Sequence, residues 1–142
     1  MVSLIYACFQ IDQNTNELRA GSVQSIVEND LALTLALATD PVLLSAISKI
    51  IAEEEELSFL EAQAMRQVLL AQMRVLKEIY GKYQLGYLSD EFVRSRIITI
   101  ANFLERFFQM NEMFQGQKRF GVYPLEFLAW FELQQKELFP EN

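Results

Sequence analysis

Apolar residues recur every three or four positions along most of this chain, which is the spacing of one face of an α-helix. The longest stretch without a break runs from Val2 to Ala38, with no proline and with Gly21 as its only glycine. The most regular stripe lies in the middle of the chain. Its members are Met65, Leu69, Met73, Leu76, Tyr80 and Tyr83. The pattern predicts a helical protein with a long helix at the amino terminus.

Capping signals divide the pattern into separate helices. Asp40 and Pro41 predict a helix start, because aspartate accepts hydrogen bonds from free amides and proline has no amide to leave unpaired. The second helix is expected to end near Ala52. Ser58 and Glu61 have the spacing of a capping box, which predicts the start of the third helix.

Similar signals mark a fourth helix. Gly86 predicts the end of the third helix, and Ser89 can cap the next one. We expect the fourth helix to fray beyond Met113. Its apolar stripe consists of Val93, Ile97, Ile100, Leu104 and Phe107.

The last part of the chain predicts a loop followed by a helix. Residues 115–121 hold two glycines among polar residues, which is typical of a loop. A final helix is expected from Tyr123-Pro124 to about Leu138. Five helices joined by short turns predict an all-α fold, an antiparallel bundle in which residues 1–142 form one domain.

Composition supports a packed domain. Apolar residues make up 51% of the chain and charged residues 22%, which is too apolar for intrinsic disorder. Eleven phenylalanines and five tyrosines supply bulk for a core, and only five glycines and three prolines interrupt the backbone. The composition therefore agrees with long helices around one core.

The charge distribution bears on the kind of partner. Residues 1–61 carry ten acidic and two basic residues, whereas residues 62–142 carry nine acidic and ten basic residues. Binding to nucleic acid requires clustered lysine and arginine, and no such cluster is present in the sequence. We therefore expect no nucleic-acid partner. The same shortage disfavours recruitment by anionic lipid headgroups.

The residue types present in the sequence disfavour most kinds of catalytic and metal-binding site. The sequence has no histidine and a single cysteine, Cys8, whose apolar neighbours give no cation to activate a thiolate. The acidic run at residues 53–56, with Glu61, lacks the alternating ligands and central glycine of a calcium loop. We therefore expect no catalytic residues, no cofactor, no metal site and a non-enzymatic protein. An enzyme that uses only carboxylates, tyrosine and lysine remains an alternative.

The leading segment is unusually apolar. Eight of the ten residues from Val2 to Ile11 are apolar, yet a helix needs about 20 such residues to span a membrane. A secretory signal would show a positive leading region and a small-residue cleavage site, and neither is visible. The segment either packs against the bundle or another subunit, or it enters a membrane. Its candidate interaction residues are Leu4, Ile5, Tyr6 and Phe9.

Several short strings resemble one group of bacterial proteins. In these uncharacterised proteins a transmembrane helix runs directly into a helical cytoplasmic domain. The similarity covers roughly residues 2–110. At the front it rests on Ser3-Leu4-Ile5-Tyr6, Gln10-Ile11, Gln13-Asn14-Thr15 and Leu18-Arg19-Ala20. Further along it rests on Asp40-Pro41, Glu56-Leu57-Ser58 and the string from Tyr80 to Leu88.

The resemblance implies an architecture and a location. Residues 1–11 would be the cytoplasmic end of a membrane helix, and the rest of the protein would lie in the cytoplasm at the membrane face. Basic residues are usual in the group where this chain has Asp12 and Asn16, so the positive-inside rule gives no orientation. No activity is established for this group, so the resemblance says nothing about chemistry.

Two aromatic groups have alternative interpretations. Tyr80, Tyr83 and Tyr87 could form a partner surface, because tyrosine offers a large contact area with a polar tip. Tyr80 and Tyr83 also continue the core stripe of the third helix. The aromatic residues between 120 and 131 could lie at a membrane interface, but the acidic residues among them favour a helix that closes the core.

These observations lead to two functional hypotheses. The first is a helical interaction or accessory module, associated with a membrane through residues 1–11, that binds a protein partner or a second copy of itself. The alternative is a soluble ligand-binding or sensor bundle. Its pocket would be lined by Met65, Met73, Tyr80, Tyr83 and Phe107.

Overall fold

The computed structural model describes residues 2–53 and 56–140, and these residues form six helices. The helices are α1 (Val2–Thr39), α2 (Pro41–Ile51), α3 (Phe59–Gln84), α4 (Asp90–Arg106), α5 (Phe108–Arg119) and α6 (Leu125–Leu138). The described residues contain no strand. The expected all-α fold with a long amino-terminal helix is confirmed.

The predicted caps form at the starts of α2 and α3. The Asp40 carboxylate accepts hydrogen bonds from the amides of Val42, at 2.8 Å, and Leu43, at 3.1 Å. Ser58 and Glu61 make both bonds of the capping box, with the Ser58 amide donating to Glu61 Oε2 at 2.7 Å. These bonds satisfy amides that would otherwise lack partners in the first turn.

The turn between α3 and α4 is also as predicted. Gly86 has a φ of 75°, a conformation that glycine adopts without steric cost. Its amide donates to the Tyr83 carbonyl at 2.9 Å, and the Tyr87 amide donates to the Lys82 carbonyl at 3.0 Å. This pair of bonds is a Schellman cap, which fixes the direction of the chain after the helix. The Ser89 hydroxyl then caps α4.

The prediction for residues 107–121 was wrong. The fourth helix does not fray beyond Met113; it stops at Arg106, and Phe107 has an extended conformation with φ −115° and ψ 104°. A new helix, α5, starts at Phe108 and continues to Arg119, through most of the stretch predicted as a loop.

Tertiary packing explains the break at Phe107. No glycine or proline lies at this point, but the Phe107 ring packs on the core and contacts the edge of Phe103, with the ring centres 5.4 Å apart. The break redirects α5 so that Met110 and Phe114 are buried. The gain from burying these side chains outweighs the local preference for a continuous helix.

Helix α3 lies at the centre of the bundle. It contacts α1, α2, α4 and α5, while α6 packs on α4 and adds Phe127 and Phe131 to the core. The stripe predicted for α3 supplies the middle of this core. The α3 side chains that are at most 1% exposed are Met65, Leu69, Met73, Leu76 and Ile79.

The second half of α1 packs antiparallel to α3. Ser25 donates a hydrogen bond to Glu78 at 3.1 Å, and Lys82 Nζ lies 3.5 Å from the carbonyl oxygen of Ser22. Ile26, which follows Ser25 in α1, is completely buried. The carboxyl end of α3 therefore points toward the amino terminus of α1.

Candidate functional site

The first half of α1 extends beyond the bundle. Every residue from 3 to 21 is exposed except Thr15, which has intermediate exposure, and Ser22, directly after this stretch, is buried. At 1.5 Å per residue this stretch is about 28 Å long. We call residues 3–21 the projecting segment, residues 3–11 its apolar tip and residues 12–21 its stalk.

The apolar tip brings together the candidate residues of the leading segment. Leu4 and Phe9 are each 72% exposed, and Ile5, Tyr6 and Ile11 are more than half exposed. Leu4, Ile5 and Tyr6 point in directions about 100° apart, because consecutive helical residues are rotated by that angle. The tip is thus apolar on three sides, whereas a helix that packs on one neighbour is apolar on one face.

The stalk is mainly polar. Gln13 donates a hydrogen bond to Glu17 at 3.3 Å. Leu18, 52% exposed, lies one turn before Ser22 on the side facing the bundle. Leu18 also lines a shallow cleft with Lys82, which places it beside the end of α3. The stalk therefore separates the apolar tip from the bundle.

Cys8 lies on the apolar tip and is exposed. Its neighbours in the helix are apolar, as the sequence indicates, and the nearest charged residue along the chain is Asp12. The cysteine gives the tip a unique thiol for chemical labelling.

The three candidate tyrosines lie at the carboxyl end of α3. The Tyr80 and Tyr83 rings pack near Trp130, with ring centres 4.9 Å and 6.5 Å apart. The Tyr83 hydroxyl donates to Asp90 at 2.8 Å, and this bond raises the pKa of Tyr83. Tyr87 follows Gly86 and is partly exposed. The structure does not join these tyrosines with the apolar tip in one site.

The residues expected to line a ligand pocket do not lie around one of the described clefts. Met65 and Met73 are fully buried within the packed core. Tyr83 lines a cleft of about 260 Å³ beside α4 and α6, and Phe107 lines a different cleft of about 480 Å³ near the end of α2. The residues expected to line one cavity therefore separate, because the flexible methionines fill the space between the helices.

Sequence reasoning overlooked a second exposed apolar stripe on α1. Val27, Leu31 and Leu35 are 46%, 64% and 63% exposed, on the side of the helix away from Ile26. Their spacing of four residues is visible in the sequence, but Ile26 and Leu33 are equally apolar and lie on the opposite side of the same helix. Only the packing of α1 shows which stripe faces the bundle.

Glu61, which follows the acidic run at residues 53–56, is held in place by hydrogen bonds. Its carboxylate accepts hydrogen bonds from Ser45 at 2.5 Å, Lys49 at 2.9 Å and the Ser58 amide at 2.7 Å. These contacts, led by the Ser45 hydroxyl, lower the pKa of Glu61 to about 2. Residues 54 and 55 lie outside the described residues. Within the described part of the chain, no group of three acidic or cysteine side chains is placed to hold a metal ion.

Taken one at a time, none of the described helices has both the length and the apolar character needed to cross a bilayer. One pair, Ser3–Thr39 with Pro41–Ile51, meets the requirement jointly, although the two helices are bent by 85°.

Comparison with protein-family models, with curated proteins and with solved structures found no match to this chain.

Proposed function

We propose that this protein is a non-enzymatic, membrane-associated interaction module. The apolar tip of α1 enters a lipid bilayer, and the bundle presents a surface to a protein partner on the cytoplasmic side, the location that the sequence resemblance implies. The exposed apolar surface on three sides of the tip is the observation that carries this proposal.

Lipid suits this surface better than a protein groove does. A groove covers one or two faces of a helix and would leave other apolar side chains of the tip in water, whereas hydrocarbon surrounds a helix completely. Removing a large apolar side chain such as Leu4, Ile5 or Phe9 from water is worth about 1.5–3 kcal/mol. Several such side chains together give a substantial driving force for insertion.

The apolar tip is long enough to reach into the hydrocarbon layer. The nine residues from Ser3 to Ile11 extend about 14 Å, and the layer is roughly 30 Å thick. With only two basic residues in the first 61, the interaction depends on apolar insertion rather than on headgroup charge. Neutral phosphatidylcholine vesicles are therefore the appropriate probe.

Flotation with these vesicles tests the proposal. The wild-type protein is expected to float with the vesicles, and Ile5→Asp or Phe9→Asp is expected to weaken binding. Placing aspartate in hydrocarbon costs about 2.5–3.5 kcal/mol, which corresponds to about a hundredfold loss in the binding constant. Both positions are exposed, so the bundle should keep its wild-type circular dichroism spectrum.

Leu35→Asp is the matched control. Leu35 is as exposed as the tip residues but lies in the part of α1 that packs on the bundle. This variant should float like the wild type. Failure of the wild-type protein to float, or an equal loss of binding in the Leu35 variant, would refute insertion through the tip.

A further inference from the structure

One side of α1 is exposed along most of the helix. Val27, Leu31 and Leu35 lie on the side away from the bundle, and all three are exposed. Phe9 comes about five full helical turns before Val27, and Tyr6 points within about 20° of the direction of Leu31. We call this side of α1, from Tyr6 to Leu35, its outer face. The outer face carries an apolar cluster at each end.

The middle of the outer face is polar. Gln13 and Gln24 lie on it, and Glu17 and Glu28 lie along one edge of it. Each glutamine donates a hydrogen bond to the glutamate four residues later, at 3.3 Å from Gln13 and at 2.8 Å from Gln24. A bilayer lying along the whole face would remove these groups from water without supplying partners, which is costly. A surface that covers both apolar clusters must therefore be polar between them.

A second copy of α1 in antiparallel orientation has this pattern. In a two-fold pair centred between residues 20 and 21, Tyr6 lies level with Leu35 of the second copy. Phe9 then lies within one residue of the level of Leu31 of the second copy, so the apolar cluster at each end meets the cluster at the other. Ala20 lies beside the axis, where its small side chain allows the two helices to approach closely.

The polar residues also match in this register. Gln13 is level with Glu28 of the second copy, and Gln24 is level with its Glu17. A glutamine nitrogen has two hydrogens, so it can donate both within its own helix and to the second copy. Sliding the second copy by one turn would instead place Glu17 level with Glu28, or Glu28 level with Phe9. The register that joins the apolar clusters is thus also the one that pairs each carboxylate with an amide.

The size of the contact indicates a reversible complex. The outer face from Tyr6 to Leu35 is about 45 Å long, and at a width of about 10 Å it covers about 450 Å² on each copy. The total of about 900 Å² lies at the low end for specific interfaces, where weak and transient complexes are found. Because the outer face points away from the bundle, the two bundles lie on opposite sides of the helix pair and do not obstruct it.

We propose that in the absence of lipid this protein forms a reversible antiparallel dimer through the outer face of α1. The dimer covers one side of the apolar tip and leaves Leu4 and Ile11, on the other side, exposed. It places the two Phe9 side chains about 35 Å apart along the pair, so both tips cannot enter one bilayer while the helices are paired. Lipid insertion therefore separates the copies. The dimer itself does not depend on the proposed function, but this competition with lipid does.

Disulfide cross-linking of the full-length chain tests the register. In a Cys8→Ala background, Ala20→Cys places the two thiols beside the two-fold axis, and mild oxidation should give a covalent dimer. Leu31→Cys is the control, because Leu31 is 64% exposed but lies about 31 Å along the pair from its own copy. Cross-linking at both positions would indicate a parallel pair or random collision. That result, or no cross-linking at position 20, would overturn the antiparallel dimer.

Sedimentation velocity without vesicles tests the dimer independently. The average mass of the wild-type protein should rise with concentration toward that of a dimer. Leu31→Asp should weaken dimerisation by at least about tenfold, because it places an unpaired carboxylate in the contact. Leu133→Asp is the matched control: Leu133 is 54% exposed on α6, and this variant should behave like the wild type. A monomer at all concentrations, or an equal loss in both variants, would refute the dimer.

Phosphatidylcholine vesicles then test the competition. They should lower the yield of the cross-link at position 20 as the protein binds. If the dimer forms but the protein does not float with vesicles, the dimer stands and the proposed membrane attachment is wrong. If the protein floats and the cross-link yield is unchanged, pairing and insertion do not compete. Flotation of a protein that is always monomeric would support attachment and overturn the dimer.

Discussion

Glu61 shows how one side chain can organise the junction of two helices. It caps its own helix, α3, through Ser58 and receives a hydroxyl and an ammonium group from Ser45 and Lys49 of α2. The residue is only 6% exposed, and a buried carboxylate is stable only when it is well paired. One carboxylate with several partners therefore links α2 to the start of α3.

The lowered pKa of Glu61 predicts a pH dependence of stability. Because its pKa falls from the ordinary value of 4.5 to about 2 on folding, the ionised form stabilises the native state. The contribution is complete above pH 4.5 and is lost as the pH falls toward 2. In Glu61→Gln we expect a melting temperature lower by a few degrees at neutral pH and a smaller further loss between pH 4.5 and 2.

Glu56→Gln is the control for this experiment, since Glu56 is exposed and lies close by in the sequence. Thermal unfolding followed by circular dichroism across this pH range provides the measurement. Equal melting temperatures and equal pH profiles for the two variants would show that the Glu61 contacts do not stabilise the fold.

At the scale of elements, α1 combines two different surroundings in one continuous helix. Residues 3–21 are exposed apart from Thr15, and after Ser22 one side of the helix is covered by α2 and α3. The covered side is held by Ile26 and by an ion pair between Asp30 and Arg96 of α4. The second half of α1 is thus an integral part of the bundle, whereas the first half makes no contribution to its core.

The packing of the second half of α1 can be tested by comparing its buried side with its exposed side. Ile26→Ala should lower the free energy of unfolding by about 2–5 kcal/mol, because it leaves a cavity in a fully buried position. Leu31→Ala on the exposed side should change it by no more than about 0.5 kcal/mol. Urea unfolding of both variants gives the comparison. Similar values for the two would mean that α1 does not pack as described.

At the scale of the whole molecule, the bundle does not depend on the projecting segment. The core is formed by residues from Ile26 onward, and no residue from 3 to 21 is buried. The bundle and the projecting segment are therefore separable: one provides stability, and the other provides the proposed attachment to lipid.

A chain lacking residues 1–20 tests this separation. It should keep the melting temperature and near-ultraviolet circular dichroism of the full chain, because no core contact is removed, and it should fail to float with phosphatidylcholine vesicles. Flotation of the shortened chain would place the lipid contact elsewhere on the bundle. Loss of its cooperative unfolding would show that the projecting segment supports the fold.

Much of the fold was predictable because its signals are local. Asp40-Pro41, the Ser58–Glu61 box and Gly86 act through bonds within one helical turn, so their residue types and spacing are sufficient. The core stripe of α3 was equally clear, since a central helix buries its apolar face whatever its neighbours are. By contrast, the end of α4 at Phe107 depends on side chains distant in sequence.

The sequence by itself determined that this protein is helical, where four of its helices begin, and that its amino terminus is apolar. Tertiary structure alone decided that the apolar tip extends from the bundle instead of packing into it, and that Val27, Leu31 and Leu35 face solvent while Ile26 faces α3. The physical reason is that helical spacing fixes which residues share a face, but contacts with other helices determine which face loses its water.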